Sequence, residues 1–231
     1  VLTGASFRNI HYFAAAAIQY GSLASGAYEY AGNYYNKKFV HVPSKDTCID
    51  CHDKHTLELK YAACATCHPG ATDLAGVEAI RMLGTTGDYD GDGNVAESVR
   101  DELAGMAAAL MTTIQAYAQN VVGTCILLDV AAHPYWFIDT DCLGTKGGSF
   151  TAWTPRLLKA AYNYQTWLKD PGAYAHNPQY VSQLLFDSIA DMNAGLGVAA
   201  IPFAGARGDM GHFDSDSEVF RHWPTGMTGS S

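Results

Sequence analysis

Apolar side chains between residues 95 and 117 recur at steps of three and four. Val95, Val99, Leu103, Met106, Leu110, Ile114 and Tyr117 fall on one stripe of a 3.6-residue helix, which predicts the clearest helix of the chain. Two further helices are marked by their starts. Thr154-Pro155 joins an N-capping side chain to a proline at the first helical position and predicts a helix through Leu168. Asn177-Pro178 repeats the device and predicts a helix ending at Gly195. Thr72 and Asp73 read as the start of a short helix through Met82, and residues 11–18 predict another in an Ala-rich stretch. Strand patterns are scarce, with short candidates only at 125–130 and 135–138. The pattern predicts a mainly α fold with little β, in which long loops join a helical body.

Composition narrows the class. The chain has 231 residues, enough for one large domain or two small ones with a real core. Apolar residues make up 48% and charged ones 16%, the balance of a globular chain and not of a disordered one. A net charge of −9 leaves no basic footprint, which argues against nucleic acid and anionic membranes as partners. The most apolar run, 121–132, is broken by Gly123 and Asp129 and falls well short of the roughly 20 residues that cross a bilayer. The chain starts at Val1, which points to a removed signal peptide and an extracellular or periplasmic location.

The loops carry the chemistry. Cys48-Ile49-Asp50-Cys51-His52 and Cys64-Ala65-Thr66-Cys67-His68 are both C-x-x-C-H, the spacing that attaches haem through two thioethers and sets the histidine beneath the iron. Taken alone, the thiols read C-x2-C-x12-C-x2-C, close to a four-cysteine zinc site. A zinc ribbon needs no histidine directly after both pairs, so the sequence favours two covalent c-type haems. Their attachment belongs outside the cytoplasm. Cys125 and Cys142 remain, and in an oxidising compartment they could close a disulfide worth about 3 kcal/mol. The alternative is two buried free thiols.

Nine histidines less the two proximal ones leaves seven. His55 lies three residues after His52, a spacing that turns it from its own iron towards a neighbouring one. His41, seven residues before the first haem cysteine, is within reach of both motifs. His176 follows Pro171-Gly172 and precedes a helix start, so a rigid loop presents it. These three are the candidate distal ligands. His212 and His222 flank an acidic loop, and His11 lies on a segment able to reach a neighbouring subunit.

A second metal signal is Asp88-Tyr89-Asp90-Gly91-Asp92-Gly93-Asn94. It matches the opening of a calcium loop, with oxygen ligands from Asp88, Asp90 and Asp92, a turn glycine, and the backbone carbonyl of Asn94. Val99 stands where the closing glutamate is expected. Glu97 and Glu102 are the substitutes, and Glu102, one helical turn further on, is preferred. The rival reading is a solvated acidic turn, but three alternating aspartates repel one another without a cation.

The chain resembles the secreted multihaem cytochromes c of metal-reducing and anaerobic bacteria. The likeness rests on Cys48–His55 as C-x-x-C-H-x-x-H, the second C-x-x-C-H, Ile80-Arg81-Met82 and the 88–94 loop. It continues in residues 160–165 and 170–177, in Gly211-His212-Phe213 and in Phe220-Arg221-His222-Trp223. Some such cytochromes polymerise into conductive filaments. The resemblance implies electron transfer through bis-histidine haems on a calcium-stabilised body, with self-association into a polymer. Redox proteins or extracellular acceptors would be its partners. The expected layout is a dihaem region at 1–82 and a calcium-loop and helical region at 83–231, packed as one unit. The rival is an enzyme such as a dihaem peroxidase with one open iron. Such enzymes keep their two motifs in separate domains, whereas here the first cysteines lie only sixteen residues apart, so a carrier that is not an enzyme is expected.

Overall fold

Capping side chains set the helix boundaries. The computed structural model describes residues 1–42, 44–81 and 87–207. The chain forms α1 (Ala15–Tyr20), α2 (Cys48–Cys51), α3 (Tyr61–Ala65), α4 (Leu74–Glu78) and α5 (Val99–Tyr117). Strands β1 (Ile126–Leu128), β2 (Trp136–Asp139) and β3 (Lys146–Ser149) follow, then α6 (Pro155–Leu168), α7 (Ala173–His176) and α8 (Pro178–Leu196). Of the described residues 43% are helical and 6% lie in the sheet, so the fold is mainly α with much loop.

Thr154 Oγ1 accepts from the Leu157 N–H at 3.2 Å and starts α6. Asn177 Oδ1 accepts from the Tyr180 N–H at 3.1 Å and starts α8, which runs one residue beyond the expected Gly195 to stop at Gly197 with φ +59°. In α5 the cap is Ser98, so the helix opens after Val95, whose side chain is left exposed. Leu103, Met106, Leu110 and Ile114 pack against Val181, Leu185, Ile189 and Met192 of α8, with Leu157, Ala160 and Ala161 of α6 completing the core. Each large aliphatic side chain buried there contributes about 1.5–3 kcal/mol.

Two short helices depart from expectation. Ala14 donates its N–H to the Lys169 carbonyl at 2.9 Å, and α1 begins only after that tether, leaving His11, Tyr12 and Phe13 exposed as loop. Helix α4 ends at Glu78, because the Ile80 carbonyl accepts from Val99 at 3.2 Å and Arg81 turns towards the acidic loop; Met82 lies outside the described residues.

The sheet is antiparallel in the order β1-β2-β3, with Ile126 opposite Ile138 and Leu128 opposite Trp136. The Gly-rich β3 carried no alternating pattern and was not expected. Cys125 and Cys142 are joined by a disulfide. Trp136 and Trp153, both buried, pack with Phe7 and Phe150 beneath the sheet. Packing also crosses the expected boundary at 82/83. Asn163 Oδ1 accepts from the Tyr28 N–H at 2.8 Å, and its Nδ2 donates to the Tyr28 carbonyl at 2.9 Å.

Candidate haem and cation sites

Each C-x-x-C-H motif folds into one helical turn. The His52 N–H donates to the Cys48 carbonyl at 2.8 Å, and the His68 N–H to the Cys64 carbonyl at 2.9 Å. Thr47 opens the first turn by donating its N–H (2.9 Å) and its hydroxyl (2.7 Å) to Asp50 Oδ2, which holds that carboxyl below its ordinary range. An isolated bridge between His52 and Leu59, with Lys60 N–H donating to the Cys51 carbonyl at 2.8 Å, folds the second turn back on the first. Burial, and then the nearby Cys64, push the Cys51 thiol up. No three of the four motif sulfurs lie within 4.8 Å of one another. That arrangement suits four separate thioether bonds better than one tetrahedral zinc ion.

Four of the histidines form two close pairs. His52 and His176 have ring centroids 6.2 Å apart, and so do His41 and His68. A metal–imidazole bond is about 2 Å, and a ring nitrogen lies about 1 Å from its centroid, so two imidazoles sharing one iron stand about 6 Å apart. The residues present therefore fit two six-coordinate haem irons. The Nδ1 atoms of one pair are already engaged: His52 Nδ1 lies 2.8 Å from the Leu57 carbonyl, and His176 Nδ1 lies 2.9 and 2.7 Å from the Asp170 carboxylate oxygens. With Nδ1–H donating to these acceptors, the lone pair of Nε2 on each ring is the one left able to bind a metal.

His55 is not brought opposite either proximal histidine. Asp53 Oδ1 accepts from the N–H groups of His55 (2.8 Å) and Thr56 (3.0 Å), placing His55 in an exposed turn. His11 and His133 are exposed as well, while His212 and His222 lie outside the described residues.

A buried amide cluster holds both facing histidines. Asn177, next to His176, donates from Nδ2 to the Lys37 carbonyl at 2.8 Å and accepts from Asn36 Nδ2 at 3.0 Å. Asn36 also donates to Gln179 Oε1 at 2.7 Å and, from its backbone, to Gln183 Oε1 at 2.8 Å. The segment leading to His41 is thus clamped onto the start of α8. Sequence reasoning missed Asp170, Asn36 and Asn177. Only the helix-start reading of Asn177 hinted at one of them.

The 88–94 loop closes around its own carboxylates. Asp88 accepts from Gly91, Asp92 and Gly93, Asp90 from Asp92, and Asp92 from Asn94, at 2.7–3.1 Å. Ligand oxygens of Asp88, Asp90 and Glu102 gather within 4.8 Å of one another, as do those of Asp90, Asp92 and Glu97. The preferred Glu102 is fully buried but heavily engaged. Its Oε1 accepts from Arg81 at 2.5 Å, and its Oε2 accepts from the N–H groups of Tyr89 (2.8 Å) and Asp90 (3.1 Å). Glu97 Oε1 is buried with no hydrogen-bond partner among the described residues. Burial first, then Asp92, Glu102 and Asp88, raise Asp90 to about 6. Burial, then Asp90 and Glu102, raise Glu97 to about 7.

No family model and no solved structure matches the chain. It is similar to the C-type polyheme cytochrome OmcB of Geobacter sulfurreducens, 28% identical over 226 aligned residues that cover 79% of this chain and 27% of the relative. A second relative, the C-type polyheme cytochrome OmcC of the same species, is 26% identical over 226 residues, covering 79% of this chain and 26% of its own. The chain spans about a quarter of the length of the curated relatives it matches.

Proposed function

We propose that this chain transfers electrons through two covalently bound, bis-histidine c-type haems. The observation that carries the reading is the pair of C-x-x-C-H turns, each with a second imidazole facing its histidine at 6.2 Å. Likeness to polyheme c-type cytochromes supports the same class, electron transfer by a multihaem c-type cytochrome. When bound, haem iron supplies one-electron exchange between its ferric and ferrous states. The chain's own residues do the rest. Cys48, Cys51, Cys64 and Cys67 fix the two macrocycles, His52 and His176 close one iron, and His41 and His68 close the other. With two imidazoles on each iron, no coordination site would be left for a peroxide, which favours a carrier over a peroxidase.

The acidic loop belongs to the same reading as a structural calcium clip. Asp88, Asp90, Asp92 and the Asn94 carbonyl supply oxygen ligands, and Glu97 or Glu102 completes the set. The unpartnered Glu97 oxygen favours Glu97, since Glu102 is engaged by Arg81. A disulfide and thioether chemistry fit a secreted protein, extracellular or periplasmic, and no helix among the described residues is long and apolar enough to cross a membrane. Two attachment turns folded together cannot move an electron far within one copy. Head-to-tail self-association, with exposed Tyr12 and Phe13 on the contact surface, would extend the path towards redox partner proteins or extracellular acceptors. Mass spectrometry of the denatured holoprotein tests the core of this reading. A mass heavier by two haems supports it, and a mass matching the bare chain refutes it. Electron microscopy of the native protein tests assembly: monodisperse particles at every concentration would leave a soluble shuttle.

A further inference from the structure

Asp170 is a buried carboxylate whose ion-pair partner among the described residues is a histidine, His176. Its side chain is 1% exposed, and both its oxygens lie within hydrogen-bonding distance of His176 Nδ1. The Gly172 N–H donates to Asp170 Oδ1 at 3.1 Å, the Asp170 N–H donates to the Trp167 carbonyl at 3.0 Å, and the Ala173 N–H donates to the Asp170 carbonyl at 3.0 Å. The backbone therefore locks this carboxylate against one imidazole. A charge held so far from water is costly unless it is paired, and His176 is the group it can act on.

We infer that Asp170 is a positioning residue that lowers the reduction potential of the iron held by His52 and His176. The inference rests on that ligand pair. Two effects act together. Accepting a hydrogen bond from Nδ1–H fixes the tautomer and the ring plane of His176, and it raises the electron density at Nε2. The carboxylate also puts a negative charge one imidazole away from the metal. Reduction adds one electron to ferric iron and moves no atom, so the site becomes more negative by one charge. Asp170 opposes that change and favours the ferric state. On the other face, His52 Nδ1 meets only the neutral Leu57 carbonyl, so Asp170 adds a charge that His52's partner does not.

Potentiometric titration of the holoprotein tests this. Asp170→Asn keeps the shape and a carbonyl acceptor for Nδ1–H while removing the charge. One of the two haem midpoints should rise, the other should stay, and the spectrum should remain low-spin. Asp170→Glu should bring the shifted midpoint back towards the wild-type value. A low-spin Asn variant with both midpoints unmoved would overturn the inference. If the Asn variant does not accumulate, NMR of the ferrous wild-type holoprotein with nitrogen-labelled histidine decides. One ligand histidine should give an Nδ1–H signal further downfield and slower to exchange than the others, and equal signals would overturn the inference. Failure of the ligand pair itself reads differently. His176→Ala should open one iron to carbon monoxide, and a His176→Ala protein with an unchanged spectrum would remove His176 from the iron and this inference with it.

Discussion

A methyl group at Gly172 would meet His176 Cε1 at 2.7 Å, Nδ1 at 3.1 Å and Nε2 at 3.2 Å. Gly172→Ala is compatible with the local backbone (φ −98°), so its effect comes from pushing the ring away from Asp170. We expect a loss of about 1–3 kcal/mol, typical of overpacking, together with a changed Soret band for one haem. Thermal unfolding followed in that band checks both, and an unaltered melting curve and spectrum would mean that His176 is free to move. At this scale the proposed attachment residues were legible because C-x-x-C-H is a local pattern. The opposing imidazoles were not. Spacing recommended His55 first and His41 with it, and His176 only for its rigid loop, whereas the fold sets His41 near His68 and His176 near His52. His55 sits in an exposed turn in which its N–H and that of Thr56 are held by the Asp53 carboxylate, and neither proximal ring is paired with it.

Helix α8 does two tasks through its N-cap residue. Asn177 caps the helix and, through Asn36 and the Lys37 carbonyl, ties down the segment that ends at His41. Asn177→Ala removes a cap and leaves buried amide groups without partners. We expect a loss of about 2–4 kcal/mol from these two terms. Because both facing histidines hang on this clamp, the visible spectra of both haems should change together. Denaturant unfolding with parallel spectra would detect this, and a stability loss under 0.5 kcal/mol, the scale of an ordinary surface substitution, would contradict it. Elements with local signals were readable in the sequence: caps at Thr154 and Asn177 gave α6 and α8 nearly to the residue. Elements set by long-range contacts were not. Strand β3 exists through its pairing with β2, and α1 and α4 are cut short by hydrogen bonds to residues far along the chain.

At the scale of the whole molecule, the acidic loop couples stability to cation and pH. Without a cation, burial and like charges raise Asp90 to about 6 and Glu97 to about 7. The folded chain then keeps protons that the unfolded chain releases in the ordinary carboxylate range. Stability from those protons is present below that range and lost as pH rises through about 6 to 7. The chelated protein should therefore melt at a lower temperature at about pH 8 than at about pH 5. Added calcium should restore more at the higher pH, where no proton must first be displaced. Calorimetry with and without chelator checks this, and curves indifferent to both variables would make the loop an ordinary acidic turn. Hydrogen bonds join residues 28 and 36 to α6 and α8. What no local pattern could say is that the C-terminal part returns to the first haem motif through His176. The central claim is that two imidazoles close each of two irons, and near-infrared magnetic circular dichroism of the ferric holoprotein reads axial ligands directly. Both haems should give bis-histidine signals, and a high-spin or histidine–methionine signal from either one would contradict closure by two imidazoles.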